Sequence, residues 1–214
     1  MGIEADSLRK SIDALADREP AFAAALARAG YPEPRISAPG YVTLVRTIVG
    51  QQVSTQAARS IWAKLEAAVG DAADPAALIA VSDEALRGAG LSRQKIAYAR
   101  SLAEAVVSGR IDLARLPADD EDAIAQLVQA KGIGRWSAEI YLLFAEGRPD
   151  VWPAGDLAVQ IAVGRILGLP DRPSEKQIRL VAEAWRPHRG AAAIFAWHHY
   201  SFERSAAARP ETPV

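Results

Sequence analysis

The constraint that dominates this sequence is the spacing of its apolar residues, which recur at helical intervals from end to end, while no segment alternates as a half-buried strand would. Tyr41, Leu44, Val45, Ile48 and Val49 fall on one face of a helix. Ala58, Ile61, Trp62, Leu65 and Val69 form the face of the next, which starts near Ser54 or Thr55 and stops at Gly70. The punctuation agrees with the period. Asp74-Pro75 reads as a capping acid followed by a first-turn proline. Ser92 can cap a helix carrying Ile96, Ala99, Ala103, Val106 and Val107, closed by Gly109. Asp119 and Asp120 place negative charge at the start of a helix with Ala123, Ile124, Leu127 and Val128. Ser174 with Gln177 forms a capping box for a helix ending near Trp185. After the Arg186-Pro187-His188 break, a last helix runs through Ile194, Trp197 and Phe202. The predicted class is all-α.

Composition removes several alternatives. Half of the 214 residues are apolar, enough for a real core and too many for wholesale disorder. No apolar run has the length a bilayer requires, and Met1 to Asp17 lacks a secretory apolar block. A cytoplasmic protein without a membrane partner is expected. With no cysteine, disulfides, cysteine-ligated zinc and iron–sulfur clusters are excluded. His188, His198 and His199 form no metal-ligand spacing, since the adjacent pair points to different helix faces. A net charge of −1 is not that of a protein that coats nucleic acid indiscriminately. It leaves room for a few phosphates held by backbone amides and a few arginines.

Three interruptions of the helical pattern carry chemical meaning. Lys131-Gly132-Ile133-Gly134 separates Leu127 and Val128 from Ala138, Tyr141 and Phe144. Two helices joined by such a tight turn let the backbone approach another molecule closely. The second helix then opens with unpaired amides and a positive dipole end, a site for a phosphate. Taken alone, this reads as a short interhelical turn. Gly147 to Gly155 is a loop with prolines at 149 and 153, and Asp156 stands where the helix of Leu157, Ile161 and Ile166 begins. Alone, Asp156 is an ordinary N-cap. Gln51 and Gln52 break an apolar pattern between two helices, which alone is a polar turn. Trp62, Trp185 and Trp197 read as core on spacing.

In combination these segments become specific. Leu127 to Ala138, with Gly-Ile-Gly-Arg-Trp-Ser-Ala at its centre, followed after Trp136 by Val151-Trp152-Pro153-Ala154-Gly155-Asp156, resembles the helix–hairpin–helix, Gly/Pro-rich loop, Asp superfamily of DNA glycosylases. Together with Ile48-Val49-Gly50-Gln51-Gln52-Val53-Ser54, it is similar to the bacterial 3-methyladenine DNA glycosylase II branch. The resemblance covers roughly residues 35 to 205, without the small β domain some relatives carry.

The resemblance implies a helix–hairpin–helix glycosylase fold, with two closely packed helical lobes and the active-site cleft between them. Residues 1–34 form an N-terminal helical segment, 35–205 the glycosylase domain and 206–214 a flexible tail. Asp156 is implied as the catalytic carboxylate, which stabilises positive charge on the sugar as the base departs. Strand-cutting relatives carry a Schiff-base lysine where this chain has Trp136, so the resemblance implies a monofunctional enzyme. Trp136, Trp197 and, more weakly, Trp152 line the base pocket, where an indole face attracts a cationic alkylated purine. Gln51 and Gln52 wedge into the duplex, although a member of that branch has leucine where this chain has Gln52. Gly132, Ile133, Gly134, Arg135 and Ser137 contact DNA, and the carbonyls of Val128, Ala130 and Ile133 hold a monovalent cation, Na+ or K+, bridging to a phosphate. No cofactor is required. The expected protein is a monomer acting on double-stranded DNA with an alkylated base. The alternatives are a non-catalytic helix–hairpin–helix DNA-binding module and a glycosylase for another lesion class.

Overall fold

The computed structural model describes residues 2–207, and every regular element among them is helical. The chain divides into two compact units. The first takes the residues up to Ile36 and those from Gly147 onward, and the second runs from Ser37 to Glu146.

The first unit begins with α1 (Ala5–Arg18) and α2 (Pro20–Ala29). The chain then builds the second unit from α3 (Tyr41–Gly50), α4 (Thr55–Val69), α5 (Pro75–Ala80), α6 (Asp83–Gly88), α7 (Arg93–Val107), α8 (Asp120–Leu127) and α9 (Arg135–Tyr141). A π-helical turn, Leu142–Glu146, closes it. Back in the first unit come α10 (Leu157–Ile166), α11 (Glu175–Val181), a 3-10 turn at Ala182–Trp185, and α12 (Arg189–Ala207).

The caps read from the sequence are made. Ser54, Asp74 and Ser92 each accept an N–H from the first turn that follows, at 3.2, 2.8 and 3.2 Å. Asp119 accepts two, and the Ser174–Gln177 box is reciprocal. Each such cap is worth about 1 kcal/mol. Six-residue α6, like α5, is too short to show a period and is marked only by its cap, Ser82, which accepts the Ala85 N–H at 3.2 Å.

In the second unit, Tyr41, Leu44, Val45, Ile48 and Val49 are all buried, and α3 packs on α4, α7 and α9. The Ser37 N–H donates to the Phe144 carbonyl at 2.8 Å and the Gly40 N–H to the Tyr141 hydroxyl at 2.8 Å, which ties the start of the unit to its end. Trp62 is core as expected, with the Arg46 guanidinium 4.5 Å above its ring.

The core of the first unit gathers Leu8, Ile12, Leu15, Phe22, Trp185 and Phe195. Phe22 lies edge-on to Trp185 with ring centroids 5.0 Å apart. The N-terminal segment is therefore no separate piece. α1 packs on α12, and α2 packs on α10 and α12, because their apolar faces need that partner for burial. Of the expected tail, Ala206 and Ala207 end α12, and the rest lies outside the described residues. No helix among the described residues is long and apolar enough to cross a membrane.

Candidate active site

In the first unit the loop before α10 is firmly held. Asp150 accepts two bonds from the Arg189 guanidinium, at 3.0 and 2.9 Å, and one from Arg186 at 2.7 Å. Further along, the Gln160 side-chain amide, itself buried, donates to the Ala154 carbonyl at 2.8 Å. The Asp156 N–H donates to the Pro153 carbonyl at 3.0 Å. The loop delivers Asp156 to the N-cap of α10, where Oδ1 accepts the Val159 N–H at 3.0 Å. The same oxygen accepts the indole N–H of Trp197, from α12, at 3.1 Å. Cap and catalyst are thus compatible readings of one residue, since the cap bond aims a half-buried carboxylate from a rigid terminus.

Trp197 is not the plain core residue its spacing suggests. Its indole nitrogen orients Asp156, and its ring lines a groove of the first unit with Tyr31, Ile194 and His198. Trp152 is different. It is 4% exposed and packs edge-on against Trp185, ring centroids 5.5 Å apart. That placement puts the ring in the core of the first unit and leaves almost no indole face exposed for the expected pocket wall.

The second unit carries the hairpin. The turn between α8 and α9 places Gly132 in the left-handed region, φ 89°, with the Tyr98 ring directly against it. Gly134 caps α9 in an extended conformation and faces open space. Trp136, one residue into α9, is 46% exposed, unusual for an indole and consistent with an offered aromatic face. A single groove is lined by Gln51, Gln52, Val128, Ala130, Lys131, Gly132, Ile133 and Gly134, with Ser92, Gln94, Lys95 and Tyr98 from the start of α7. Residues of the expected DNA-contacting turn, the hairpin and the expected cation site therefore line one groove of this unit.

Two residues of the expected DNA surface are engaged elsewhere. Arg135 donates through Nη1 and Nη2 to both Glu121 oxygens, at 2.8 and 2.5 Å, and through Nε to Glu139 at 2.9 Å. These bonds hold Arg135 strongly protonated, the Glu121 bond foremost. Its donors bind α8 to α9 instead of reaching for phosphates. Ser137 is 7% exposed and belongs to the interior. Arg135 stays half-exposed in its ion pairs while Ser137, two residues on along the helix, turns to the interior, which the residue types alone do not reveal. Since Glu139 is buried at 2% exposure, Arg135→Ala strips a partner from a buried carboxylate. Urea unfolding is expected to show a loss of about 2 kcal/mol, below the roughly 3–5 kcal/mol of a fully buried pair, because Arg135 is 42% exposed. An unchanged midpoint would mean the ion pair is ornamental.

Sequence reasoning missed Lys95, Tyr98 and Ser101, all on α7. The Lys95 ammonium donates to the Val49 carbonyl at 2.7 Å, and the Lys131 N–H donates to Ser101 Oγ at 3.0 Å. No local pattern marks the Lys95 and Ser101 contacts, because their partners Val49 and Lys131 lie 46 and 30 residues away.

This all-helical frame, with a double-glycine hairpin and a capped aspartate after a proline-bearing loop, is that of a base excision repair protein. Residues 45–187 match the HhH-GPD superfamily base excision DNA repair protein family, and the chain belongs to that superfamily. It is similar to DNA-3-methyladenine glycosylase 1 of Schizosaccharomyces pombe, 34% identical over 163 residues that cover 73% of this chain and 71% of the relative. Among solved structures it is similar to a DNA-3-methyladenine glycosidase from Bacillus halodurans, at 35% identity and a TM-score of 0.76, covering 81% of each chain. It is also similar to the 3-methyladenine DNA glycosylase of Schizosaccharomyces pombe in complex with abasic DNA, at 30% identity and a TM-score of 0.75, covering 88% of this chain and 95% of the other.

Proposed function

We propose that this chain hydrolyses the N-glycosidic bond of alkylated bases, 3-methyladenine and related alkylpurines foremost, in double-stranded DNA, leaving an abasic site for base excision repair. The observation that carries the reading is the Asp156 carboxylate, fixed by the Val159 N–H and the Trp197 indole at the start of α10. In the reaction the bond from C1′ to the base nitrogen breaks and its electron pair leaves with the base. Water adds to C1′ and gives up a proton. Between these events the sugar carries positive charge, which a preoriented carboxylate stabilises. Alkylation at N3 or N7 makes the base cationic, so it leaves as a neutral molecule and needs little acid assistance. The exposed Trp136 face attracts such a cation by about 0.5–2 kcal/mol. The weakly paired lesion also flips from the stack more easily than a normal base.

The second unit supplies the grip on DNA. The hairpin backbone at Gly132 to Gly134 takes phosphates, and Gln52 fills the gap left by the flipped nucleotide. The Val128, Ala130 and Ile133 residues fit a monovalent cation. All three line the groove, and the Ala130 carbonyl, which accepts the Ile133 N–H at 3.1 Å, keeps a second lone pair. Their carbonyls would hold Na+ or K+, which would neutralise a phosphate there. The protein acts as a monomer.

Incubating the protein with methylated duplex DNA and separating the soluble products tests the reading: free 3-methyladenine is expected. Tight binding with no base released would leave only a DNA-binding module, and release confined to deaminated or oxidised bases would assign another lesion class. Because Trp136 stands where a lyase needs an amine, abasic DNA is expected to accumulate uncut. Borohydride is expected to trap no protein–DNA adduct. A robust adduct would refute the monofunctional assignment.

A further inference from the structure

Gln52 is the one non-glycine residue among the described residues with a left-handed backbone, φ 55°. Its side chain is exposed. L-residues bearing a Cβ disfavour that conformation, so neighbouring groups must hold the turn. Two side chains do so from opposite ends.

Lys95, in the first turn of α7, donates its ammonium to the Val49 carbonyl at 2.7 Å. That carbonyl is one of the last of α3, which lack intrahelical donors and form the negative end of the helix dipole. Partial burial lowers the pKa of Lys95, and no carboxylate among the described residues offsets it. The bond to Val49 is therefore the structural use of this cation. On the other side of the turn, the Gln51 side-chain amide donates to the Gly132 carbonyl at 2.9 Å, across to the hairpin. Gln51 was expected to touch DNA. Its donor instead joins the wedge turn to the phosphate-binding turn.

We infer that Lys95 and Gln51 are positioning residues that hold Gln52 ready to enter the base stack, so that their contribution falls on opening the duplex and not on breaking the glycosidic bond. A wedge already fixed loses little freedom on insertion, and the rigid link to Gly132 sets its distance from the bound phosphates. The inference rests on the proposed function, and the two are separable by experiment.

Single-turnover base release by the full chain is measured on two oligonucleotides with the same alkylated purine, one fully paired and one in an unpaired bubble. Unstacking is followed separately by the fluorescence of 2-aminopurine beside the lesion. Lys95→Met is expected to slow release from the paired duplex roughly tenfold and to reduce the fluorescence rise. On the bubble, where opening is already done, the loss is expected to stay under about twofold. Lys95→Arg, which can donate to the same carbonyl, restores the paired rate. Gln51→Leu repeats the pattern and carries the comparison if a melt shows Lys95→Met unfolded. A merely structural role would slow both substrates equally and leave the ratio unchanged. Equal losses on both, or no loss on the paired duplex, overturn the inference while the parent's activity stands. A parent protein that releases no base from either substrate overturns the proposed function, and the inference with it.

Discussion

Asp156→Asn is expected to bind alkylated DNA as tightly as the parent and to release base about 10²–10³ times more slowly, a loss of roughly 3–4 kcal/mol in transition-state stabilisation. The fold should survive, because asparagine is nearly isosteric and its amide oxygen can still accept the Val159 and Trp197 N–H groups that Oδ1 accepts now. What disappears is the negative charge that the developing sugar cation requires. Affinity can even rise, since the carboxylate repels phosphates in the ground state. Single-turnover excision with excess enzyme isolates the chemical step from product release. Excision within a few-fold of the parent rate by a folded variant would reduce Asp156 to a helix cap.

The second large effect separates the two hairpin glycines. Gly132→Ala is expected to destabilise the protein by about 3 kcal/mol, the sum of roughly 1–2 kcal/mol for a left-handed non-glycine residue and roughly 1–3 kcal/mol for overpacking. A Cβ at Gly132 would stand 2.3 Å from Cγ and 2.6 Å from Cβ of Tyr98, atoms too close to the α7 backbone to swing aside. Gly134→Leu is expected to cost only about 1 kcal/mol, the N-cap preference for glycine over leucine, because its Cβ would meet nothing within 4 Å and its φ of −86° is ordinary. The same substitution puts bulk where a phosphate must approach, so it is expected to weaken binding about tenfold for every sequence and lesion alike. Thermal melts and duplex-binding titrations at fixed salt read both variants. A stable Gly132→Ala protein would show that Tyr98 yields, and unweakened binding by Gly134→Leu would make the hairpin only a turn.

These predictions divide along the line between what was legible early and what was not. The helices and caps could be read directly, because a helix face and a capping bond depend on residues within four positions of each other. The order of hairpin, proline-bearing loop and aspartate was legible too, since each is a contiguous run, and it led to the superfamily the chain belongs to. For Arg135 and Ser137 a contiguous run is not enough. Their neighbours on the chain suggest a phosphate surface, while Glu121, fourteen residues earlier, occupies the half-exposed Arg135 guanidinium and packing buries Ser137. Trp152 is similar: its place in the loop before Asp156 says nothing about whether the ring is buried, and the structure buries it.

The amino-acid sequence by itself determined the helical class, the capped helix starts, the hairpin glycines and the place of Asp156 at the start of α10, all consequences of local periodicity and contiguous motifs. Only the tertiary structure decided that the Trp197 indole bonds to Asp156 across 41 residues, that Lys95 reaches the end of α3 across 46, and that Gln51 reaches Gly132 across 81. Such pairings repeat at no period. They are fixed by which apolar faces pack together, and a polar side chain finds its partner only after that packing has brought a distant carbonyl or carboxylate within hydrogen-bonding distance.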